Sequence, residues 1–210
     1  MQPPALPKFS RLIIAVYFFA APASLMIADS LHYFHHYLIA IVIFKTSLVL
    51  FVVGSFGQAY MLPDKSRYFG LVGTGLVTLG AITISAMSTA TLFQDLLADQ
   101  GYNFRQIKEV EQVLQSTNAM KVIYLPSGFG FPIGLVVLAI GIYQTPYTPR
   151  SISILLCIGA LFHTVARFVN TLTLLLLSEA VLVIAFSLTG WFMWRYKPAQ
   201  KKYENTLRRA

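Results

Sequence analysis

Six long apolar runs follow one another along the chain, at about 12–28, 37–62, 68–93, 122–144, 151–169 and 171–194, with short polar segments between them. Each approaches or exceeds the roughly 20 residues that an α-helix needs to cross the hydrocarbon core of a bilayer. None alternates apolar and polar positions as a barrel strand does, and an unbroken apolar run satisfies its backbone amides in lipid only as a helix. The pattern predicts an all-α integral membrane protein, a six-transmembrane-helix bundle that forms one transmembrane domain over 1–210. The first run leads directly into the polytopic pattern and is not read as a cleaved signal peptide.

Between these runs the connections are short, with one exception. The segment between spans three and four carries a predicted outer-surface helix at about 104–117, where Asn103 and Gln106 stand in capping-box spacing and Ile107, Val110 and Leu114 recur on one face. The turn between spans one and two has no usual breaker, because neither glycine nor proline occurs from Ala23 to Val53. Asp29 and Ser30 offer the capping chemistry there. Span four reads Leu125-Pro126-Ser127-Gly128-Phe129-Gly130-Phe131-Pro132, a sequence expected to kink or unwind a helix, either for close packing or to line a site. Span three carries small residues at four-residue spacing, Gly70 with Thr74 and Ala81 with Ser85 and Thr89, the mark of close helix approach.

Composition agrees with the class: 56% of the 210 residues are hydrophobic and 11% charged, with a mean hydropathy of +0.65, too few charges to coat a soluble domain. The net charge of +8 then becomes a topology signal. With six spans, eleven of the sixteen basic residues fall on one side, three on the other, and Lys45 and Arg167 lie within spans. Positive charge is retained in the cytoplasm, so both termini are expected there, in a multi-pass protein of the plasma membrane, a bacterial inner membrane by its short loops. The basic tail at 195–210 is expected to rest on anionic headgroups. No nucleic-acid role is implied; the expected partners are the bilayer itself and a membrane protein partner or a second copy of the chain. The single cysteine, Cys157, forms no intramolecular disulfide.

Ionisable groups inside spans carry the candidate chemistry, since each is costly in lipid unless paired or wet. Lys45 and Glu179 fall at matching depth, roughly 12–13 Å from the outer ends of their helices at 1.5 Å per residue. A Lys45 to Glu179 ion pair is the expected arrangement. His163 and Arg167 share one face of span five at i, i+4 spacing, and Ser127 belongs to the irregular part of span four, so Lys45, Glu179, His163, Arg167 and Ser127 are the candidates for a polar pocket in the outer half. A second constellation is Asp29, His32 and His36, which share a face if the hairpin is helical, joined by His163 as metal ligands for zinc, or His163 with one of the outer histidines His32, His35 and His36 for haem. No cofactor is called for by a signature. The run His32-Tyr33-Phe34-His35-His36 resembles one histidine box of the membrane desaturase and hydroxylase family, but one histidine, His163, lies outside it, and a dinuclear iron site needs several boxes.

Three functions fit these residues. The first is a helical membrane subunit or accessory protein whose polar network locks the bundle. The second is a small transporter or ligand-binding membrane protein with its pocket in the outer half. The third is a metal-dependent membrane hydrolase using the outer Asp and His residues. The chain has no nucleophile elbow, P-loop or HExxH run, so the balance leans away from an enzyme.

Overall fold

The structure, a computed structural model, describes residues 7–195 apart from 104, 107, 110, 111, 114–117, 146, 147 and 170, with the backbone alone at 64 and 118–128. Six long helices and no strands occur among the described residues: α1 Lys8–Tyr33, α2 Tyr37–Met61, α3 Asp64–Asp99, α4 Asn118–Tyr143, α5 Arg150–Val169 and α6 Leu172–Arg195. All but α4 are long and apolar enough over the described residues to cross a membrane, and the described apolar part of α4 is Phe129–Tyr143. Each helix packs on its neighbours in sequence, and α6 returns to pack on α1, which closes the six into a ring. The upper end of the ring is taken here as the one bearing the α1–α2 and α5–α6 turns, the lower end as the one bearing the α2–α3 and α4–α5 turns.

The α1–α2 turn forms without glycine or proline. His35 takes φ +63°, its N–H donates to the His32 carbonyl (3.1 Å), and the His36 N–H donates to the Leu31 carbonyl (2.9 Å). This is a Schellman ending with histidine where glycine is usual. The end of α3 makes the same two bonds around Gly101 at φ +86°, from Gly101 to Ala98 (3.0 Å) and from Tyr102 to Leu97 (3.1 Å). Asp29 and Ser30, expected to cap the first turn, instead lie inside α1, where the Ser30 hydroxyl donates to the Met26 carbonyl (2.8 Å). At the lower end α2 stops one residue before Pro63, with Leu62 extended at ψ 143°, as the restriction on residues preceding proline requires.

The ring is filled at mid-height by aromatic side chains. Phe18 of α1, Phe51 of α2 and Phe186 of α6 are completely buried, and Phe131 of α4 nearly so. Their rings form a chain, Phe18 to Phe186 at 5.1 Å, Phe186 to Phe51 at 5.3 Å and Phe51 to Phe131 at 5.2 Å between centroids. Such tilted and edge-on pairs add to the stabilisation that area burial already supplies.

The α3–α4 contact is a seam of glycines in antiparallel register. Gly73 lies against Leu138, Val77 against Gly134, and Gly80 against Phe131, one number rising as the other falls. A Cβ on Gly73 would lie 2.6 Å from the Leu138 nitrogen, and one on Gly134 2.5 Å from that of Val77. The close approach expected of α3 is therefore carried chiefly by Gly73 and Gly80, two turns apart. Thr74, paired with Gly70 in the sequence reading, donates to the Ser55 carbonyl of α2 (3.0 Å). The helix α4 runs from Asn118 to Tyr143 as one element through both Pro126 and Pro132. Of the two expectations for this stretch, unwinding does not occur, and Gly130 and Gly134 serve the other, close packing.

The predicted surface helix at 104–117 lies largely outside the described residues. At its start the capping box is formed: the Asn103 N–H donates to Gln106 Oε1 and the Gln106 N–H to Asn103 Oδ1, both at 3.0 Å. The basic tail at 196–210 lies outside the described residues.

Candidate functional site

The last helical turns of α1, α3 and α5 and the first turns of α2 and α6 meet at the upper end. There Arg167, near the end of α5, forms an ion pair with Asp29 on α1. The same guanidinium nitrogen, Nη2, lies 3.6 Å from Oε1 of Glu179 on α6. His163, one turn before Arg167, completes the cluster, with Nδ1 3.9 Å from Glu179 Oε1 and 3.4 Å from the Ser178 hydroxyl. Arg167 Nε donates to His163 Nε2 (3.4 Å), so the neutral ring carries its proton on Nδ1, facing Glu179 and Ser178. The Ser178 hydroxyl donates to the Leu175 carbonyl (2.7 Å), which leaves its lone pairs toward the histidine.

Burial grades this cluster. Glu179 is fully enclosed and neither of its carboxylate oxygens accepts a hydrogen bond among the described residues, whereas the Arg167 side chain keeps 39% of its surface. One guanidinium nitrogen, Arg167 Nη2, thus serves two neighbouring carboxyls, Asp29 in the pocket wall and Glu179 in the packed interior. With both ionised the cluster carries one negative charge in excess, an arrangement that only further partners compensate in a low dielectric.

Above this cluster lies a pocket of about 930 Å³, and Asp29 and Arg167 form part of its wall. That volume falls within the range of natural small-ligand sites. The aromatic residues Tyr33, Phe34, Tyr37 and Phe44 supply one side. Ser88, Thr91, Leu92 and Asp95 of α3 supply the other, at i, i+3, i+4 and i+7 positions that share one helix face. The α3 side stands open because no residue of α3 beyond Thr83 is fully buried. Four phenylalanines at mid-height separate this pocket from the lower half of the bundle.

The sequence candidates distribute unevenly over this geometry. Arg167, Glu179 and His163 converge, but of the three only Arg167 reaches the pocket wall. The expected Lys45 to Glu179 pair does not form: Lys45 Nζ donates to the Thr89 hydroxyl of α3 (2.7 Å). Equal depth placed the two at the same height, but Lys45 lies on the α3 side of α2, one position round from Phe44, whose ring faces Arg167 at 5.9 Å. The Ser127 side chain lies outside the described residues.

The metal constellation separates for a related reason. Because α1 ends at Tyr33, His36 sits at the start of a new helix and cannot continue the face that Asp29 and His32 share. His32 packs edge-on against Tyr37, 5.1 Å between centroids, and His35 bonds to the Tyr37 hydroxyl. His163 lies behind Arg167, outside the wall that His32 and His35 line. Among the described residues no group of three or more His, Cys, Asp or Glu side chains is placed to hold a metal ion.

Asp95 is the site residue that sequence reasoning missed. The apolar run of span three ends at Phe93, before Gln94, which places Asp95 in the polar connection between spans three and four; the helix instead continues to Asp99, 36 residues in all and about 54 Å at 1.5 Å per residue. The signal was present in the spacing of Ser88, Thr91, Leu92 and Asp95. No known protein family, curated protein or solved structure matches this chain.

Proposed function

We propose that the chain is a small multi-pass membrane protein of the transporter or ligand-binding class, and that the upper pocket is its ligand site. The observation that carries this reading is the pocket itself, about 930 Å³ with a charge network at its base that is enclosed only at Glu179. An accessory subunit locked by polar contacts accounts for Asp29, Arg167 and Glu179 but requires no cavity beside them. The metal hydrolase is not proposed, since its donors do not converge. The basic residues favour termini in the cytoplasm, which turns the pocket to the exterior of a plasma membrane.

Thermal unfolding of the purified protein in detergent, with a panel of metabolites, lipids and drugs, tests the reading. A ligand raises the melting midpoint according to its excess over Kd. Thr91→Trp, which places a large ring in the pocket from an exposed position on α3, removes that rise. No shift with any compound favours the accessory subunit.

A further inference from the structure

Charge around the pocket is unbalanced toward the negative. Asp29 is matched by Arg167, and Glu179 presses on the same guanidinium from the interior. Asp95 enters the pocket from α3 with neither a hydrogen bond nor an ion pair among the described residues; its electrostatic neighbours are His32, also in the pocket wall, and Asp99 on its own helix. On α2 the nearest cation, Lys45, is directed to Thr89, and Arg167 is the one Lys or Arg side chain in the pocket wall among the described residues. Two carboxyls, Asp29 and Asp95, therefore line the pocket with one guanidinium, that of Arg167.

The wall opposite Asp95 is aromatic, and it already holds a cation. Arg167 stands over the Phe44 ring, 5.9 Å from its centroid, within the reach of a cation–π contact. Tyr33, Phe34 and Tyr37 extend that surface toward the mouth. Few hydroxyls remain for a sugar or a polar metabolite: Ser88 and Thr91 donate to carbonyls of their own helix, at 2.9 and 3.3 Å.

We infer that the pocket recognises an amphipathic organic cation, a lipophilic amine or a quaternary onium compound, with Asp95 as its countercharge and Tyr33, Phe34, Tyr37 and Phe44 as its aromatic wall. The inference rests on the reading of the pocket as a ligand site. It supplies what that reading leaves open, the chemical class. A delocalised cation loses less hydration than a compact ammonium on entering such a wall, and the carboxylate of Asp95 gives the specificity that apolar contact lacks.

Equilibrium binding to the full-length protein in detergent, with tetraphenylphosphonium and tetraphenylborate as probes, separates charge from shape, since the two ions share a form and differ in sign. The expected result is phosphonium binding at least about tenfold tighter than borate, a loss of about tenfold in Asp95→Asn, and retention in Asp95→Glu. Thr91→Trp abolishes phosphonium binding. Borate binding as tightly as phosphonium, or phosphonium binding indifferent to Asp95→Asn, overturns the cation assignment and leaves the ligand pocket standing. Indifference of both probes to Thr91→Trp removes the pocket reading and the cation with it.

Discussion

Arg167 and Asp29, 138 positions apart in the sequence, join the end of α5 to the last turns of α1 as an ion pair, with Glu179 of α6 at 3.6 Å behind the same guanidinium. Those three helices are consecutive round the ring, so one side chain ties its closing edge. The pair also forms the boundary between the packed interior and the upper pocket.

Removal of that guanidinium leaves a fully enclosed carboxyl without its cation. Arg167→Met is expected to destabilise the protein by about 3 kcal/mol. Adding Glu179→Gln recovers part of the loss, because the uncompensated charge goes with it. Melting midpoints of the two single variants and the double variant in one detergent check this; strictly additive losses would show that Glu179 and Arg167 are energetically independent.

Lys45 gives the opposite expectation toward Glu179. Since its ammonium is bonded to Thr89, Lys45→Met and Glu179→Gln should add within about 0.5 kcal/mol, the ordinary result for residues without shared partners. Lys45→Met and Thr89→Val should instead be coupled. A double-mutant cycle on thermal stability distinguishes the two pairings.

The glycine seam between α3 and α4 has no room for a methyl group. At Gly80 a Cβ would meet backbone atoms of Phe131, and at Gly134 those of Val77, so Gly80→Ala and Gly134→Ala are each expected to cost about 1–3 kcal/mol. Gly75 has nothing within 4 Å of its would-be Cβ. Gly75→Ala, which only restricts the unfolded chain and favours helix, is expected to be neutral or stabilising by up to about 1 kcal/mol. Detergent melting curves for the three variants provide the comparison.

The first turn depends on a residue in the left-handed region. His35→Gly relieves that conformation and loses the bond to Tyr37, so it is expected to leave stability within about 1 kcal/mol of the parent. His35→Val, β-branched at φ +63°, is expected to lower the melting midpoint clearly. Equal midpoints for the two variants would show that the turn relaxes to another conformation.

The amino-acid sequence by itself determined the class and the order of the helices. An apolar run of such length has one way to satisfy its amides in lipid, so the runs at 37–62 and 171–194 correspond closely to α2 and α6, and the Asn103 to Gln106 cap formed as its spacing requires. It placed Arg167, His163 and Glu179 in the same half of the bundle, where they meet. Tertiary structure alone decided which face each residue turns to the ring and where the long helices stop. A rotation of 100° per residue takes Lys45 to Thr89 while Phe44 meets Arg167. The stop at Tyr33, made by a histidine in a glycine's conformation, separates His36 from Asp29. The overrun of α3 past the thickness of a bilayer brings Asp95 into the pocket. Hydropathy records the depth of a side chain in the membrane, but azimuth and partner emerge only when six helices pack against one another.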